Sequence, residues 1–302
     1  MTEIAALMDR LAHCEGINST HIPEVNIYKR STAQPLEPMS YKQGALFVGQ
    51  GSKEVLLHGQ TFEYNPDNYL VLSVTLPAEC RTTPAPGEPL LLLTLDFDIA
   101  LLSEISAQVH QHGIPMSKEN NTSQKGLFLG QSTPAIKDTL TRLLTCLQSP
   151  LEAAILGRGL VKELLFRIMQ GQTAAALFAL TAQNSNIARI DKALRLIHSD
   201  FTQTIAVDRL AALVNMSPSV FHRVFKEVTA STPLQYTKKI RLNHARGLLG
   251  EGMRVGETAQ KVGYESASQF SREFKKHFGT NPAEFYRGLT AGYSPSDAPG
   301  RA

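Results

Sequence analysis

The C-terminal third of this 302-residue chain repeats itself, and the repeat limits the fold more than any other feature. A step of 49 residues carries Ser217 to Ser266, Phe221 to Phe270, Arg223 to Arg272, Phe225 to Phe274, Lys226 to Lys275 and Pro233 to Pro282. Upstream the step is 48, carrying Ala211 to Ala259 and Val214 to Val262. The one-residue change falls between two segments of helical period, where a loop absorbs it. Each copy therefore reads as helix, tight turn, helix.

In the first copy Val207–Val214 is a short helix with Leu210, Leu213 and Val214 on one face, and Asn215-Met216 makes the turn. Ser217 caps the next helix and Pro218 suits its first position, where no N–H is required. Phe221, Val224, Phe225 and Val228 form a stripe at i, i+3, i+4, i+7, leaving Ser219, His222, Arg223 and Lys226 outward. In the second copy Gly256–Val262 is the short helix and Gly263-Tyr264 the turn. Ser266 with Gln269 has capping-box spacing. Phe270, Phe274 and Phe278 point inward, and Ala267, Ser268, Ser271, Arg272 and Lys275 outward. A plain helical bundle would have no reason to duplicate surface Ser, Arg and Lys. A helix-turn-helix that lays its second helix in the major groove does, because arginine's fork matches guanine O6 and N7 and small residues allow close approach. Helix-start N–H groups behind Ser217 and Ser266 would hold phosphates.

Charge agrees. Residues 1–186 carry 13 Lys and Arg against 17 Asp and Glu, whereas residues 187–287 carry 16 against 9. A basic end on an acidic body suits a polyanionic partner.

The first half reads as β: Asn26–Arg30, Gly44–Gln50, Glu54–His58, Thr61–Tyr64, Tyr69–Leu76 and Leu90–Phe97, separated by Gly-, Asn- and Pro-rich turns. Short strands at such spacing predict an antiparallel sandwich or barrel. Ile99–Val109, Pro134–Leu147 and Leu151–Met169 then read as helices, with Thr133 as an N-cap and Pro150 between the last two. A polar junction at Thr181–Ser185 predicts three parts: a β domain with following helices at 1–180, an all-helical domain at 187–289 and a disordered tail at 290–302.

Residues from about 190 to 289 closely resemble the DNA-binding domain of AraC/XylS-type transcriptional regulators. The resemblance is carried by Met216-Ser217-Pro218-Ser219-Val220-Phe221-His222-Arg223-Val224-Phe225-Lys226 and Arg241-Leu242-Asn243-His244-Ala245-Arg246-Gly247-Leu248-Leu249. Val262-Gly263-Tyr264-Glu265-Ser266 through Phe274-Lys275 and Phe278-Gly279-Thr280-Asn281-Pro282 complete it. It implies two helix-turn-helix units joined by a linker helix, here Pro233–Leu249, entering successive major grooves. It places Ser217, Ser219, His222, Arg223 and Lys226, then Ser266, Ala267, Ser268, Ser271, Arg272 and Lys275, on the DNA face. The first 180 residues more loosely resemble the N-terminal domain of a subgroup of the family, through Asn65-Pro66-Asp67-Asn68-Tyr69-Leu70, the Leu76-Pro77 strand end and Gly157–Gly171. That implies an α+β chain: a cupin-like barrel or sandwich that senses a small molecule or mediates dimerisation, then an all-α reader.

The implied partners are double-stranded DNA, RNA polymerase, an unknown small-molecule effector and a second copy of the chain. His58, Tyr64, Tyr69 and Cys80 are the effector-site candidates, Cys80 because Arg81 beside it would favour a thiolate. His110-Gln111-His112 has no third ligand at a fixed spacing, so neither a metal nor a cofactor is expected. The three cysteines form no C-x-x-C, the N-terminus lacks a signal-peptide pattern, and no apolar run reaches the about 20 residues of a membrane helix. A cytoplasmic protein is expected. The alternatives are a small-molecule-converting enzyme on a cupin-like barrel, betrayed by turnover without DNA binding, and a purely structural module.

Overall fold

The computed structural model describes residues 1–57, 59–112, 126–182, 185–203 and 205–290. A short helix, α1 (Glu3–Leu11), capped by Thr2, precedes nine strands. These are β1 (Gly16–Ser19), β2 (Val25–Arg30), β3 (Gln34–Tyr41), β4 (Gly44–Gln50), β5 (Ser52–Leu57), β6 (Gln60–Tyr64), β7 (Asn68–Leu72), β8 (Leu76–Thr83) and β9 (Leu90–Asp96). After α2 (Ile99–Gln111) and β10 (Leu127–Gln131) the chain is helical: α3 (Pro134–Cys146), α4 (Pro150–Met169), α5 (Ala174–Thr181), α6 (Asn186–Ser199), α7 (Val207–Leu213), α8 (Pro218–Thr229), α9 (Pro233–Gly250), α10 (Val255–Lys261), α11 (Ala267–Phe278) and α12 (Pro282–Thr290).

The strands make two antiparallel sheets, ordered β1-β2-β9-β4-β7-β10 and β3-β8-β5-β6. The long run expected at Tyr69–Leu76 breaks after Leu72, and Leu76-Pro77 begins a strand instead of ending one. Pro77 is tolerated because β5 pairs with β8 only from Glu79 onward. Pro35 and Pro38 hide β3 from a sequence reading; it survives as an edge strand with a bulge between Gln34 and Glu37. Pro150 is the first residue of α4, with the Ser149 hydroxyl accepting from the Glu152 N–H.

Burial alternates along β5, placing Lys53, Val55 and Leu57 in the space between the sheets. The other face of the larger sheet is covered by helices; there Tyr69 packs against Phe47 with ring centroids 5.1 Å apart and tilted by 34°, and meets the Thr173 hydroxyl at 3.2 Å. One apolar core runs from Ala5 through both sheets and α2–α6 into α7, α8 and the first half of α9, ending at Ile240. A second, smaller core joins Leu242, Ala245 and Leu249 of α9 to Ala259, Val262, Tyr264, Phe270 and Phe274. Among the described residues no helix is long and apolar enough to cross a membrane.

Candidate nucleic-acid interface

The two repeat copies fold alike. In the first, the Val214-Asn215-Met216 turn takes Asn215 to φ 53° and returns the Met216 N–H to the Ala211 carbonyl at 3.0 Å. In the second, Gly263 takes φ 85° and the Tyr264 N–H reaches the Ala259 carbonyl at 2.9 Å. Asn tolerates this left-handed region and Gly is free in it. Gly263 is also held to glycine by space, since a Cβ there would sit 2.1 Å from the Thr202 carbonyl oxygen. The extra residue of the second turn is Glu265.

α8 and α11 present the expected faces. Ser217 caps α8 by accepting from the Val220 N–H, and Pro218 occupies its first turn. Phe221, Val224, Phe225 and Val228 are buried, while Ser217, Ser219, His222, Arg223 and Lys226 are exposed. In α11 Phe270 and Phe274 are fully buried, and Phe278 is half-buried beneath the Arg246 guanidinium, 5.2 Å from its ring centroid. Ser266, Ala267, Ser268, Arg272 and Lys275 are exposed and Ser271 half-buried. Ser266 accepts from the Gln269 N–H, but the Gln269 amide donates to Glu273 at 3.2 Å, so the expected capping box is half formed. A complete box lies at Thr232 and Gln235, opening the linker helix α9.

Arg241 ties the units together, a role no sequence motif signals. From α9 its guanidinium donates to the carbonyls of Phe201 at 2.6 Å, Gln203 at 3.1 Å and Gly263 at 3.0 Å. It thereby joins the α6–α7 connection to the second turn. Glu273 of α11 adds a bridge to Lys238 of α9 at 3.0 Å and accepts the Tyr264 hydroxyl at 2.9 Å.

The first unit is also anchored to the β domain. The Tyr236 hydroxyl of α9 donates to the Thr75 carbonyl at 2.8 Å, at the bend between β7 and β8. His198 of α6 meets the same hydroxyl oxygen at 2.9 Å through Nε2. The Tyr236 proton is already committed to Thr75, so His198 donates from Nε2. Burial pushes its imidazole down to about 4, helped by nearby His244. The Gly126 N–H reaches the Val228 carbonyl at 2.9 Å, and Gln43 reaches Asp191 at 3.4 Å. Burial raises the Asp191 carboxyl pKa, opposed by its ion pair with Arg195.

Of the effector-site candidates, the fold brings Tyr64 and Cys80 together in the space between the sheets and leaves Tyr69 on the other side, against Thr173. His58 lies outside the described residues. Arg81 does not assist Cys80: successive strand residues face opposite ways, and Arg81 pairs with Glu54 at 2.9 Å while the thiol is buried. Two residues join the group that sequence reasoning missed. Tyr41 places its hydroxyl 3.4 Å from that of Tyr64, and burial raises both phenols. Lys53, 2% exposed, stands beside Tyr64 and Thr82 in the strand register, its ammonium 4.9 Å from the Tyr28 ring centroid and 6.0 Å from that of Tyr41. It has no acidic partner among the described residues. His110 and His112 sit at the end of α2, with His112 Nδ1 against the Gln108 carbonyl at 2.9 Å. No group of three metal-ligating side chains occurs among the described residues.

Comparison with known proteins decides the family. Residues 21–176 match the AraC-type transcriptional regulator N-terminus, and residues 210–288 match a helix-turn-helix domain. The chain belongs to the AraC-type transcriptional regulators. Within the family it is 22% identical over 266 residues to the virulence regulon transcriptional activator VirF of Yersinia enterocolitica, 86% of this chain and 95% of VirF. It is 26% identical over 162 residues to the lactose operon transcription activator of Staphylococcus xylosus, 53% of this chain and 57% of that protein. With several other AraC-type relatives the match spans still less of the partner's length, down to 28%. Unsaturated fatty acid-bound ToxT of Vibrio cholerae shares the fold, with a TM-score of 0.58 at 13% identity over 89% of this chain and 96% of ToxT.

Proposed function

We propose that this AraC-type protein is a sequence-specific DNA-binding transcriptional regulator, with residues 187–289 reading DNA and residues 1–180 sensing a small molecule or mediating dimerisation. The observation that carries it is the duplicated helix-turn-helix with polar side chains exposed at matching repeat positions of α8 and α11. Arg223 and Arg272 read bases, and the helix-start N–H groups with Lys226 and Lys275 hold phosphates. Selection of a binding site from random duplexes, followed by a salt titration of fluorescence anisotropy, tests this. Affinity should fall steeply with salt, and a salt-independent affinity would defeat it.

The interior of the β domain suits an effector carrying a negative charge. Lys53 supplies a buried cation without an acidic partner, ringed by Tyr28, Tyr41 and Tyr64. ToxT, which shares the fold, is known with an unsaturated fatty acid bound. A thermal-shift screen of small carboxylates on the wild type and Lys53→Met should lose its hits in the variant.

A second copy of the chain would cover α4. Leu151, Ile155 and Leu156 are 69%, 70% and 52% exposed on this one helix, an apolar face of the kind that marks an interaction surface. Analytical ultracentrifugation should show a dimer in the wild type and a monomer for Ile155→Glu. RNA polymerase is the further partner that activation would require.

A further inference from the structure

The two recognition helices carry opposite charges at one position that the repeat aligns. Glu227 of α8 stands where Lys276 stands in α11, four residues after Arg223 and Arg272 respectively. In α8 the Arg223 guanidinium is bound to the Glu227 carboxylate at 2.9 Å, with the arginine side chain 62% exposed and the glutamate 40%. In α11 Arg272 is exposed, has no acidic partner among the described residues, and is followed by Lys275, Lys276 and His277 in the last turn.

Helix stability does not account for the glutamate. It lies in the last turn of α8, where the carbonyl end of the helix dipole disfavours an anion and favours the lysine found in the second copy. The pair also runs in the weaker order, with the acid on the C-terminal side of the base. An exposed pair of this kind stabilises a helix little.

We infer that Glu227 is a specificity-positioning residue: it holds Arg223 so that this arginine engages a guanine edge and not a phosphate, while the unheld Arg272, beside its lysine neighbours, is free to engage phosphates as well as bases. The inference rests on the DNA-reading function proposed above. A carboxylate beside Arg223 cancels its charge toward a phosphate lying anywhere along the duplex. It also repels that phosphate through its own charge. The carboxylate engages one guanidinium nitrogen, Nη1, and leaves the other N–H groups of the fork for O6 and N7 of a guanine, which is neutral and so is not repelled by the carboxylate as a phosphate is. The first unit then discriminates among sequences more sharply than the second, which supplies more of the backbone affinity.

The test uses the full chain, a duplex selected for tight binding and a random-sequence duplex, with affinity measured by anisotropy over a range of salt. Glu227→Gln should raise affinity for the random duplex by about two- to fivefold, the scale of an exposed ion pair. It should also steepen the plot of log affinity against log salt by about 0.9, one further phosphate neutralised. The ratio of selected to random affinity should fall by a similar factor. Lys276→Glu should do the reverse at the second unit, with lower random-duplex affinity and a shallower slope. Arg223→Ala should weaken the selected complex and leave the random one nearly unchanged. The inference is overturned if Glu227→Gln leaves random-duplex affinity and slope at wild-type values, or lowers both complexes equally, while Arg223→Ala still weakens the selected complex. If neither Arg223→Ala nor Arg272→Ala changes either affinity, the DNA-reading function itself is wrong and the inference goes with it.

Discussion

The two helix-turn-helix units share a pattern and differ in what holds them. The first is an extension of the main core: Phe221, Phe225, Val228 and Tyr236 belong to the same buried cluster as both sheets, and Tyr236 reaches the Thr75 carbonyl. The second rests on eight buried residues of its own, with Phe201, Leu248, Val255, Phe278 and Phe285 packed at the margin. Its ties to the rest run through α9, through Arg241, and through the approach of α9 and α11 to β3. One sequence pattern thus yields a unit built into the body and a unit hung from it. A signal in the β domain would reach the first through a shared core and the second through the linker helix and the approach of α11 to β3.

The largest test of this difference is a matched pair of core truncations. Phe225→Ala and Phe274→Ala remove repeat-equivalent side chains that are both fully buried, and each should cost about 3–5 kcal/mol. Their consequences should differ in extent. Phe225→Ala should lower the global urea midpoint and raise hydrogen exchange in β7, β8, α6 and α9 together. Phe274→Ala should raise exchange in α10–α12 and leave the sheets protected. Equal, chain-wide exchange in both variants would break the comparison.

A smaller effect should follow at Arg241. Arg241→Met leaves three carbonyls without their guanidinium, and loss of charge-assisted bonds costs about 2 kcal/mol. Limited proteolysis should then cut near residues 250–254 faster than elsewhere.

Acid should loosen both units. His198 and His277 are each held near 4, against an ordinary value of 6.5; burial is the main cause in both, with His244 acting on His198 and Lys239 and Arg246 acting on His277. Between those values the unfolded chain takes up a proton that the folded chain refuses. Stability is therefore complete above pH 6.5 and falls as pH drops toward 4, by about 1.4 kcal/mol per pH unit for each histidine. His198→Gln and His277→Gln should each flatten the slope of stability against pH in urea titrations from pH 7 to 5. An unchanged slope in both would refute the buried neutral histidines.

The smallest expected change is Tyr236→Phe, which keeps the ring and removes the hydroxyl that joins His198 to Thr75. It should cost about 1 kcal/mol and raise exchange at the β7–β8 bend without altering α10–α12.

The recognition faces were legible in the sequence because phenylalanines at helical spacing leave no ambiguity about which side is buried, and the duplication supplied a second example. An antiparallel sandwich or barrel was legible from the short strands at 44–50 and 90–97, but β1, β3, β8 and β10 were not. β1 spans four residues, and Pro35 and Pro38 make β3 read as a loop. Lys53 was missed because a lysine in an alternating strand reads as an outward residue, and only the register with Tyr64 and Thr82 turns it inward. Arg241 was missed because its partners at 201, 203 and 263 are backbone carbonyls, which carry no side-chain signature. The polar junction at 181–185 does separate α5 from α6, yet the main core runs straight across it, a continuity that no local composition reveals.

The central claim is that both units engage DNA despite their unequal anchorage. Hydroxyl-radical footprinting of the full chain on a selected duplex tests it most directly. Two protected segments per protomer, about 34 Å apart on one face of the duplex, are expected when both recognition helices enter successive major grooves. Protection confined to a single groove of about five base pairs, or none at all, would contradict it.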